Sequence, residues 1–407
     1  MIILGIETSC DETAVSVVRA TGGLKNPKFK VLAHVVSSQT ALHAPWGGVV
    51  PSLAKREHGK NLVPCLEKAL AKAKLLKIKP HAPTPSPKGR GSKKSAQGRS
   101  AWGGILEREP ELLEQFLKFI STIKVPKIDA IAVTQGPGLE PALWAGLNFA
   151  RALALAWGKP LIPVNHMEGH LYSVLVESEK LKVKSFKLKF PTLGLLVSGG
   201  HTELVLVKDW LKHELIGATR DDAVGEAFDK VARLLGLPYP GGPALAKLVA
   251  QGPPLEQGLK GSPWAPLPRP MISSPDFDFS FSGLKTAVLY RVNDLKKQNL
   301  FDDKARLELA TDFQQAVIDV LLAKTLKVIT KHKPKTLIIA GGVSANSELR
   351  RQFTSAIKKL RPAVKLLIPP LKLSTDNATM IAVAGYLQLS RGSRPRKSIQ
   401  AEGNLKI

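Results

Sequence analysis

Two histidines that stand one helical turn apart are the first residues in this chain whose spacing allows metal chemistry. The segment VNHMEGHLYS contains His166 and His170, with Glu168 between them. On a helix, side chains four positions apart leave the same face, so both imidazoles could bind one ion. A zinc-protease motif needs Glu directly after the first histidine, but Met167 occupies that position. The pair therefore predicts a metal site of another kind, or two structural histidines.

The elements that would position these side chains belong to an alternating α/β pattern. Asn165 follows the apolar stretch PLIPV and is suited to cap the histidine helix. Elsewhere apolar strand-like runs alternate with helical spacing, which predicts mixed sheets flanked by helices. IILGIET with TAVSVV, and TLGLLV with TELVLV, each predict a strand, a short turn and a second strand. Two such hairpins predict a duplicated fold with two lobes that face a ligand cleft.

The charge balance predicts a polyanionic partner. The 407 residues include 59 Lys and Arg against 33 Asp and Glu, a formal net charge of +26. Nucleic acid is the first interpretation and an anionic membrane the second, while a basic surface that serves only solubility is the alternative. The two cysteines, Cys10 and Cys65, provide no disulfide framework and fit a reducing cytoplasm. We find no signal peptide and no run of eighteen apolar residues, so we expect no membrane span.

Two segments are predicted to lie outside the folded lobes. Residues 77–104 are rich in Pro, Gly, Ser and Lys and contain no acidic residue, which is typical of a disordered basic insertion. Residues 390–407 have the composition of a loose basic end. Because the insertion carries part of the positive charge, the net charge alone is weaker evidence for a folded nucleic-acid surface.

Four turns of small residues could bring backbone N–H groups close to a phosphate or a ribose. None contains a Walker lysine motif or a dinucleotide fingerprint, and each alone more often marks an ordinary tight turn. The four turns are ETSCDET (7–13), QGPGLEPAL (135–143), LVSGGHT (196–202) and AGGVSANSEL (340–349).

Together and in this order, the turns resemble a known family over nearly the whole chain. WGGVVPSLAKREH, VNHMEGH, EAFDKVARLLGLPYPGGP, DFSFSGLKTAV and STDNATMIA extend the match. The chain resembles the tRNA threonylcarbamoyladenosine-forming family, within the actin, Hsp70 and sugar-kinase superfamily. The resemblance implies an actin-like two-lobed fold and an acyltransferase. Its donor would be threonylcarbamoyl-AMP, and its acceptor the N6 amine of the adenosine 3′ of the anticodon, position 37, in tRNAs that read A-starting codons.

The resemblance also implies the site residues. One divalent metal per subunit, Fe(II) first and Zn(II) second, would be held by His166, His170 and Asp376, a donor set that suits these ions better than Ca or Mg. Asp11 or Glu12 would act as a general base. The adenylate would contact residues of the second lobe, namely Leu196, Val197, Ser198, Gly199, Gly200, Asp229, Gly242 and Asn346.

Local sequence leaves simpler interpretations open for several of these residues. Asp376 and Asn346 stand at predicted helix starts, where both residue types commonly act as caps. Asp229 lies in a helical pattern, where a solvated or capping carboxylate is an equal alternative. Lys55, Arg56 and His58 lie on a predicted helix and could face tRNA phosphates, although an ordinary solvated helix surface is the default interpretation.

The expected organisation follows from the same resemblance. Residues 1–188 with 380–407 would form the lobe that carries the metal histidines, and residues 189–379 the lobe that binds the adenylate. Besides tRNA, the expected partners are an enzyme that makes the adenylate, an inactive paralogous subunit and a small P-loop ATPase, in the cytoplasm and without a membrane. A metalloprotease, an ATP-dependent interaction protein and a carbamoyltransferase for a small molecule are the alternatives.

Overall fold

The computed structural model describes residues 1–80, 102, 104–177, 188–252, 264–393 and 399–407. Most of the predicted insertion, residues 81–101 and 103, lies outside this part of the chain. Both described ends of the insertion contact the same segment of the chain, residues 116–123. Ile78 forms a β-bridge with Ile123, and the Trp102 ring lies edge-on to Phe116, with ring centroids 6.0 Å apart.

The last described segment contradicts the prediction of a loose C-terminus. The Glu402 N–H donates to the Gln135 carbonyl at 3.0 Å, and the Asn165 side-chain amide donates to the Lys406 carbonyl at 3.1 Å. Ile399 is buried in the apolar core. The composition-based prediction was wrong here because a basic composition does not reveal one buried apolar anchor and specific backbone hydrogen bonds.

The first compact unit contains Met1–Gln39, Val49–Phe186 and Asp376–Lys406, and it is built on a six-stranded sheet. Its strands are β1 (Ile2–Glu7), β2 (Glu12–Thr21), β3 (Lys28–Ser38), β4 (Ala130–Gly136), β5 (Leu161–Asn165) and β6 (Val176–Glu177). The spatial order is β5-β4-β1-β2-β3-β6. β1, β4 and β5 are parallel, β1, β2 and β3 are antiparallel neighbours, and β6 is parallel to β3. β4 is buried throughout, as its continuous apolar run predicts.

The second unit contains Thr40–Gly48, Lys187–Thr375 and Ile407, and its sheet has five strands. They are β7 (Thr192–Val197), β8 (Thr202–Asp209), β9 (Lys212–Ala218), β10 (Thr336–Ala340) and β11 (Lys365–Leu367). The order is β11-β10-β7-β8-β9, with β7, β10 and β11 parallel and β7, β8 and β9 antiparallel. This repeats the order and directions of β5-β4-β1-β2-β3. The predicted α/β class, with a duplicated strand order in mixed sheets flanked by helices, is confirmed.

The helices provide the apolar layers of both units. They are α1 (Thr40–His43), α2 (Pro51–Lys72), α3 (Pro110–Thr122), α4 (Glu140–Trp157), α5 (His166–Tyr172), α6 (Val224–Leu234), α7 (Gly241–Ala250), α8 (Ser282–Lys297), α9 (Asp303–His332), α10 (Ser347–Leu360) and α11 (Ala378–Ser390). One apolar cluster joins α2, α3 and α4 to the first sheet. A second apolar cluster joins the five helices from α6 through α10 to the second sheet. No helix in the described ranges combines the length and apolar character that crossing a membrane requires.

Helix α11 lies directly against β1, and Gly5 sets the distance between them. A Cβ at Gly5 would clash with the Ala378 carbonyl oxygen and lie 3.0 Å from the Ala382 nitrogen, both of which are helix backbone atoms. Asp376 lies two residues before α11 and groups with the first unit, although the sequence-based boundary at 379/380 assigned it to the second lobe. The contact at Gly5 therefore fixes the position of the segment that carries Asp376.

We predict that Gly5→Ala lowers the free energy of unfolding by about 1–3 kcal/mol, because the added methyl forces α11 away from β1. Gly59→Ala is the matched control, since a Cβ at this position of α2 meets no atom within 4 Å. It should raise the free energy by about 0.5–1 kcal/mol through helix propensity. Urea unfolding of both variants measures the difference, and equal effects of the two substitutions would contradict the proposed contact.

Candidate functional site

Helix α5 presents the histidine pair at its first turn. The Asn165 side chain accepts hydrogen bonds from the Met167 and Glu168 N–H groups at 2.8 and 3.3 Å, so the predicted helix cap is confirmed. His166 is then the first helical residue, and the rings of His166 and His170 lie edge to face with centroids 4.7 Å apart. The cap explains why the helix starts here and why both imidazoles leave one face.

Asp376 meets these imidazoles from the segment before α11. Its Oδ1 lies 3.1 Å from His170 Nε2 and 3.4 Å from His166 Nε2. The side chain of Asn377, not that of Asp376, caps α11 by accepting from the Met380 N–H at 3.0 Å. The alternative that Asp376 is only a helix cap is therefore wrong, since its neighbour performs that role and leaves Asp376 to the histidines.

Glu7 orients His166 from the centre of the sheet, and sequence reasoning missed it. Its Oε2 lies 3.0 Å from His166 Nδ1 and accepts from the Thr134 hydroxyl at 2.7 Å, while its Oε1 accepts from the Ser9 N–H at 2.6 Å. A proton on Nδ1 donated to Glu7 turns Nε2 towards Asp376, where Nε2 would bind an ion after losing its own proton. The available signal was a single carboxylate at the end of an otherwise apolar strand, which is costly to bury without donors.

Three donor atoms converge in this arrangement in a way that fits a metal ion. One ligand atom from each of His166, His170 and Asp376 lies within 4.8 Å of the other two. The separations of Asp376 Oδ1 from the two Nε2 atoms, 3.1 and 3.4 Å, match those expected of ligands that share an ion at about 2.1 Å. Within the described part of the chain, His170 Nδ1 has no hydrogen-bond partner, so only His166 is held by a second carboxylate.

The electrostatics also favour a cation. Burial and the charges of Asp376 and Asp11 raise the pKa of Glu12 to about 10. Burial alone would raise the pKa of Asp376, but the charge and hydrogen bonds of the two histidines outweigh it and hold that pKa below its ordinary value. Burial lowers the pKa of His170, which keeps its imidazole neutral as a ligand must be. Since Glu7 is fully buried as well, the site carries more carboxylates than its histidines can balance.

Of the predicted base residues, Asp11 lies in the turn that joins β1 to β2, and Glu12 begins β2. Asp11 is buried, and its carbonyl accepts from the Gln39 N–H at 2.9 Å. His58, which was predicted to face solvent or tRNA, is fully buried below this turn. It lies 2.7 Å from the Thr13 hydroxyl and 3.0 Å from the Cys10 carbonyl. The prediction for His58 was wrong, and its contacts indicate that it holds the turn in place.

The predicted adenylate turns lie at the ends of adjacent strands in the second unit. Leu196 and Val197 end β7, and the exposed Gly199 and Gly200 form its turn, where a Cβ would meet no atom within 4 Å. The Ser198 carbonyl accepts from the Gly225 N–H at 3.1 Å, and the Gly199 carbonyl accepts from the Glu226 N–H at 3.1 Å. The first amides of α6 are therefore occupied by this turn.

The remaining predicted contacts cap helices. The Asp229 carboxylate accepts from the Gly241 N–H at 2.7 Å, which brings it beside Gly242 at the start of α7. Asn346 caps α10 by accepting from the Glu348 and Leu349 N–H groups, each at 3.0 Å. The capping interpretation is thus correct for Asn346.

The fold and the site together define a class, an α/β protein with a duplicated strand order in which two buried histidines meet a half-buried aspartate. A family model described as tRNA N6-adenosine threonylcarbamoyltransferase matches residues 30–80 and 106–383. A relative of that name from Thermosipho africanus is 40% identical over 407 residues, 100% of both chains. Another from Burkholderia multivorans is 42% identical, covering 96% of this chain and 93% of its own. The chain belongs to the tRNA N6-adenosine threonylcarbamoyltransferase family.

A solved structure of a ROK hexokinase from Thermus thermophilus is also similar. Its TM-score is 0.40 at 12% sequence identity, and the match covers 96% of this chain and 100% of the hexokinase chain.

We predict that Glu7→Gln weakens binding of a divalent metal about 10- to 100-fold. The amide would point an N–H group at either the Ser9 N–H or the Thr134 and His166 donors, so His166 would lose its orientation. Glu168→Gln is the matched control, because Glu168 lies on the same helix but accepts from Gln388 at 3.0 Å. Calorimetric titration with Zn(II) measures both variants, and unchanged affinity in Glu7→Gln would contradict the positioning role.

Proposed function

We propose that this chain transfers the threonylcarbamoyl group of threonylcarbamoyl-AMP to the N6 amine of the adenosine at position 37, 3′ of the anticodon, in tRNAs that read A-starting codons. The observation that carries the proposal is the convergence of His166, His170 and Asp376 around one point, with Glu7 behind His166. Family membership over the full length of named relatives supports the reaction type.

His166, His170 and Asp376 would hold one Fe(II) or Zn(II) ion, which suits two imidazoles and one carboxylate with open positions. When bound, the ion would polarise the carbamoyl carbonyl or the phosphate of the donor as a Lewis acid. Glu7 keeps the Nδ1 proton of His166 in place throughout. Asp11, or Glu12 in its ionised form, would accept the proton that the N6 amine gives up as the new C–N bond forms and AMP leaves, and the raised pKa of Glu12 favours Asp11 for this role.

The second unit would hold the adenylate. Gly199 and Gly200 leave the backbone open to close approach by a ligand, and Asp229 and Asn346 have oxygen and nitrogen atoms suited to ribose hydroxyl groups. We propose the partners that the family resemblance implies, namely the adenylate-forming enzyme, an inactive paralogous subunit and a small P-loop ATPase. We also propose a cytoplasmic location, because the acceptor would be tRNA.

A basic surface of the second unit supports an RNA acceptor. Residues 325–372 contain eleven Lys and Arg but one acidic residue, Glu348. The Arg361 guanidinium donates to the Thr330 hydroxyl at 2.7 Å, so the C-terminal ends of α9 and α10 lie side by side. Exposed Lys358 and Lys359 lie at this end of α10. Phosphate neutralisation with release of counterions is the physical use of such a surface.

The central experiment supplies purified protein, its proposed protein partners, Fe(II) or Zn(II), threonylcarbamoyl-AMP and a tRNA transcript, followed by mass spectrometry of nucleosides. We predict modified adenosine with the wild type and at least a roughly 100-fold loss with His166→Ala, His170→Ala or Asp376→Asn. His213→Ala, a histidine change in β9 of the other unit, should retain activity. Absence of product with the wild type would refute the proposed reaction, and full activity of the triad variants would refute the role of the site.

We predict that the double charge reversal Lys358→Glu and Lys359→Glu weakens tRNA binding and flattens its dependence on salt, since fewer phosphates are neutralised. Lys296→Glu with Lys297→Glu is a matched control, because these adjacent exposed lysines also end a helix, α8, of the same unit. Filter binding at several salt concentrations measures both slopes. Identical slopes for the two double variants would exclude a specific role for the α10 end.

A further inference from the structure

Arg350, the fourth residue of α10, joins three segments of the second unit. Its Nε donates to the Ser344 carbonyl at 2.5 Å, and its Nη2 donates to the Pro369 carbonyl and to the Ser374 hydroxyl, each at 2.8 Å. Ser344 lies in the turn after β10, whereas Pro369 and Ser374 follow β11. Because β10 and β11 are parallel neighbours, their C-terminal ends meet at the same edge of the sheet. One guanidinium therefore holds the exits of both strands together.

The environment of Arg350 differs from that of an arginine in an ordinary ion pair. The acceptors that the described chain gives Arg350 are neutral oxygens, and burial lowers the pKa of its guanidinium. The adjacent Arg351 instead donates to the Glu348 carboxylate at 2.8 and 2.7 Å from an exposed position. A half-buried cation among neutral acceptors is costly, so the contribution of Arg350 is the fixed geometry of its planar donors.

The turn that Arg350 contacts leads directly to Asn346, one of the residues proposed to bind the adenylate. This turn spans Gly342–Ala345. The Asn346 N–H closes it by donating to the Val343 carbonyl at 3.0 Å, and the Asn346 side chain donates to the buried Gln314 at 2.7 Å. In a turn this short and closed, a constraint on Asn346 also constrains the Ser344 carbonyl, which is the acceptor of Arg350.

The other contacts of Arg350 lead to the proposed metal ligand Asp376. Ser374 is fully buried, and its hydroxyl donates to the Pro370 carbonyl at 3.2 Å while it accepts from Arg350. The chain leaves the second unit after Thr375 and enters the first unit at Asp376. Because two residues span about 7 Å at most, the position of Ser374 restricts the position of Asp376.

We propose that Arg350 is a positioning residue that couples the turn before Asn346 to the metal ligand Asp376. A nucleoside that fixes this turn also fixes the Ser344 carbonyl, and the shared guanidinium transmits the constraint to Ser374. Because coupling between two sites is reciprocal, the nucleoside strengthens metal binding and the metal strengthens nucleoside binding. The inference rests on the proposed function, which assigns the adenosine part of the donor to Asn346.

Calorimetric titration of the metal-free, full-length protein with Zn(II), without and with saturating adenosine, measures this coupling. Adenosine is the probe because it lacks the phosphate that could bind the ion directly. We expect adenosine to tighten Zn(II) binding about 5- to 20-fold in the wild type, a usual strength of coupling between sites, and less than about twofold in Arg350→Ala. Arg350→Lys should resemble Arg350→Ala, since an ammonium group lacks the planar fork of donors.

Two further variants separate positioning from folding. Arg351→Ala is the matched control on the same turn of α10 and should keep the full effect of adenosine, because Arg351 pairs with Glu348. Ser374→Ala removes one acceptor and leaves Arg350 in place, so it should reduce the effect of adenosine at a melting temperature close to that of the wild type. A merely structural role of Arg350 would weaken both Zn(II) titrations equally and leave their ratio unchanged.

The inference is overturned if the ratio of the two Zn(II) affinities is the same in Arg350→Ala as in the wild type, or if adenosine does not change Zn(II) binding by the wild type. If Arg350→Ala does not fold, the ratio in Ser374→Ala decides in the same way.

Failure of this inference is distinguishable from failure of the proposed function. Coupling that depends on Arg350, without any modified nucleoside in the central experiment, would leave the inference standing and refute the reaction. Nucleoside modification together with an unchanged ratio in Arg350→Ala would refute the coupling alone.

Discussion

The hydrogen bonds that surround the buried carboxylate of Glu7 hold the first unit's site together. Glu7 is fully buried at the end of the central strand β1, where an unpaired carboxylate would be strongly unfavourable. Its partners come from the following turn, from β4 and from α5, through Ser9, Thr134 and His166. Each contact that compensates the charge also fixes one part of the site, so the stability of the strand and the orientation of the imidazole have the same cause.

The third member of the cluster depends on how closely α11 approaches the rest of the unit. Besides the contact with β1, glycines permit α11 to lie close to two other elements, α5 and β4. A Cβ at Gly169 of α5 would lie 3.0 Å from side-chain atoms of Met380 and Ile381, and one at Gly385 would lie 2.6 Å from the Ala132 Cβ. The small helix cost of Gly169 is therefore offset by close packing, and Asp376 reaches the histidines because the helix after it can lie this near.

The sequence was most informative where the chemistry is local. The four-residue spacing of the histidines and the cap at Asn165 depend only on residues close in sequence. The structure has both the paired imidazoles and the cap. Asp376 is more than two hundred positions away, and its local pattern equals that of an ordinary helix start, so only the family resemblance suggested it. The role of Glu7 could not be predicted without the strand order, since its partners Thr134 and His166 are near it in space but far from it in sequence.

The duplicated topology shows how one scaffold provides two opposite electrostatic environments. In the first unit β1 ends at Glu7, and a short turn that includes Asp11 leads to Glu12 at the start of β2. In the second unit β7 ends at Val197, and a turn of equal length leads to Thr202 at the start of β8.

The acidic positions of the first turn thus have no acidic counterpart in the second, where glycines leave the backbone exposed. Carboxylates favour a cation and repel phosphate, whereas an uncharged glycine turn allows an anion to approach the main chain. The same strand order therefore suits a cation in one unit and an anion in the other, and the difference lies in the residues of two equivalent turns.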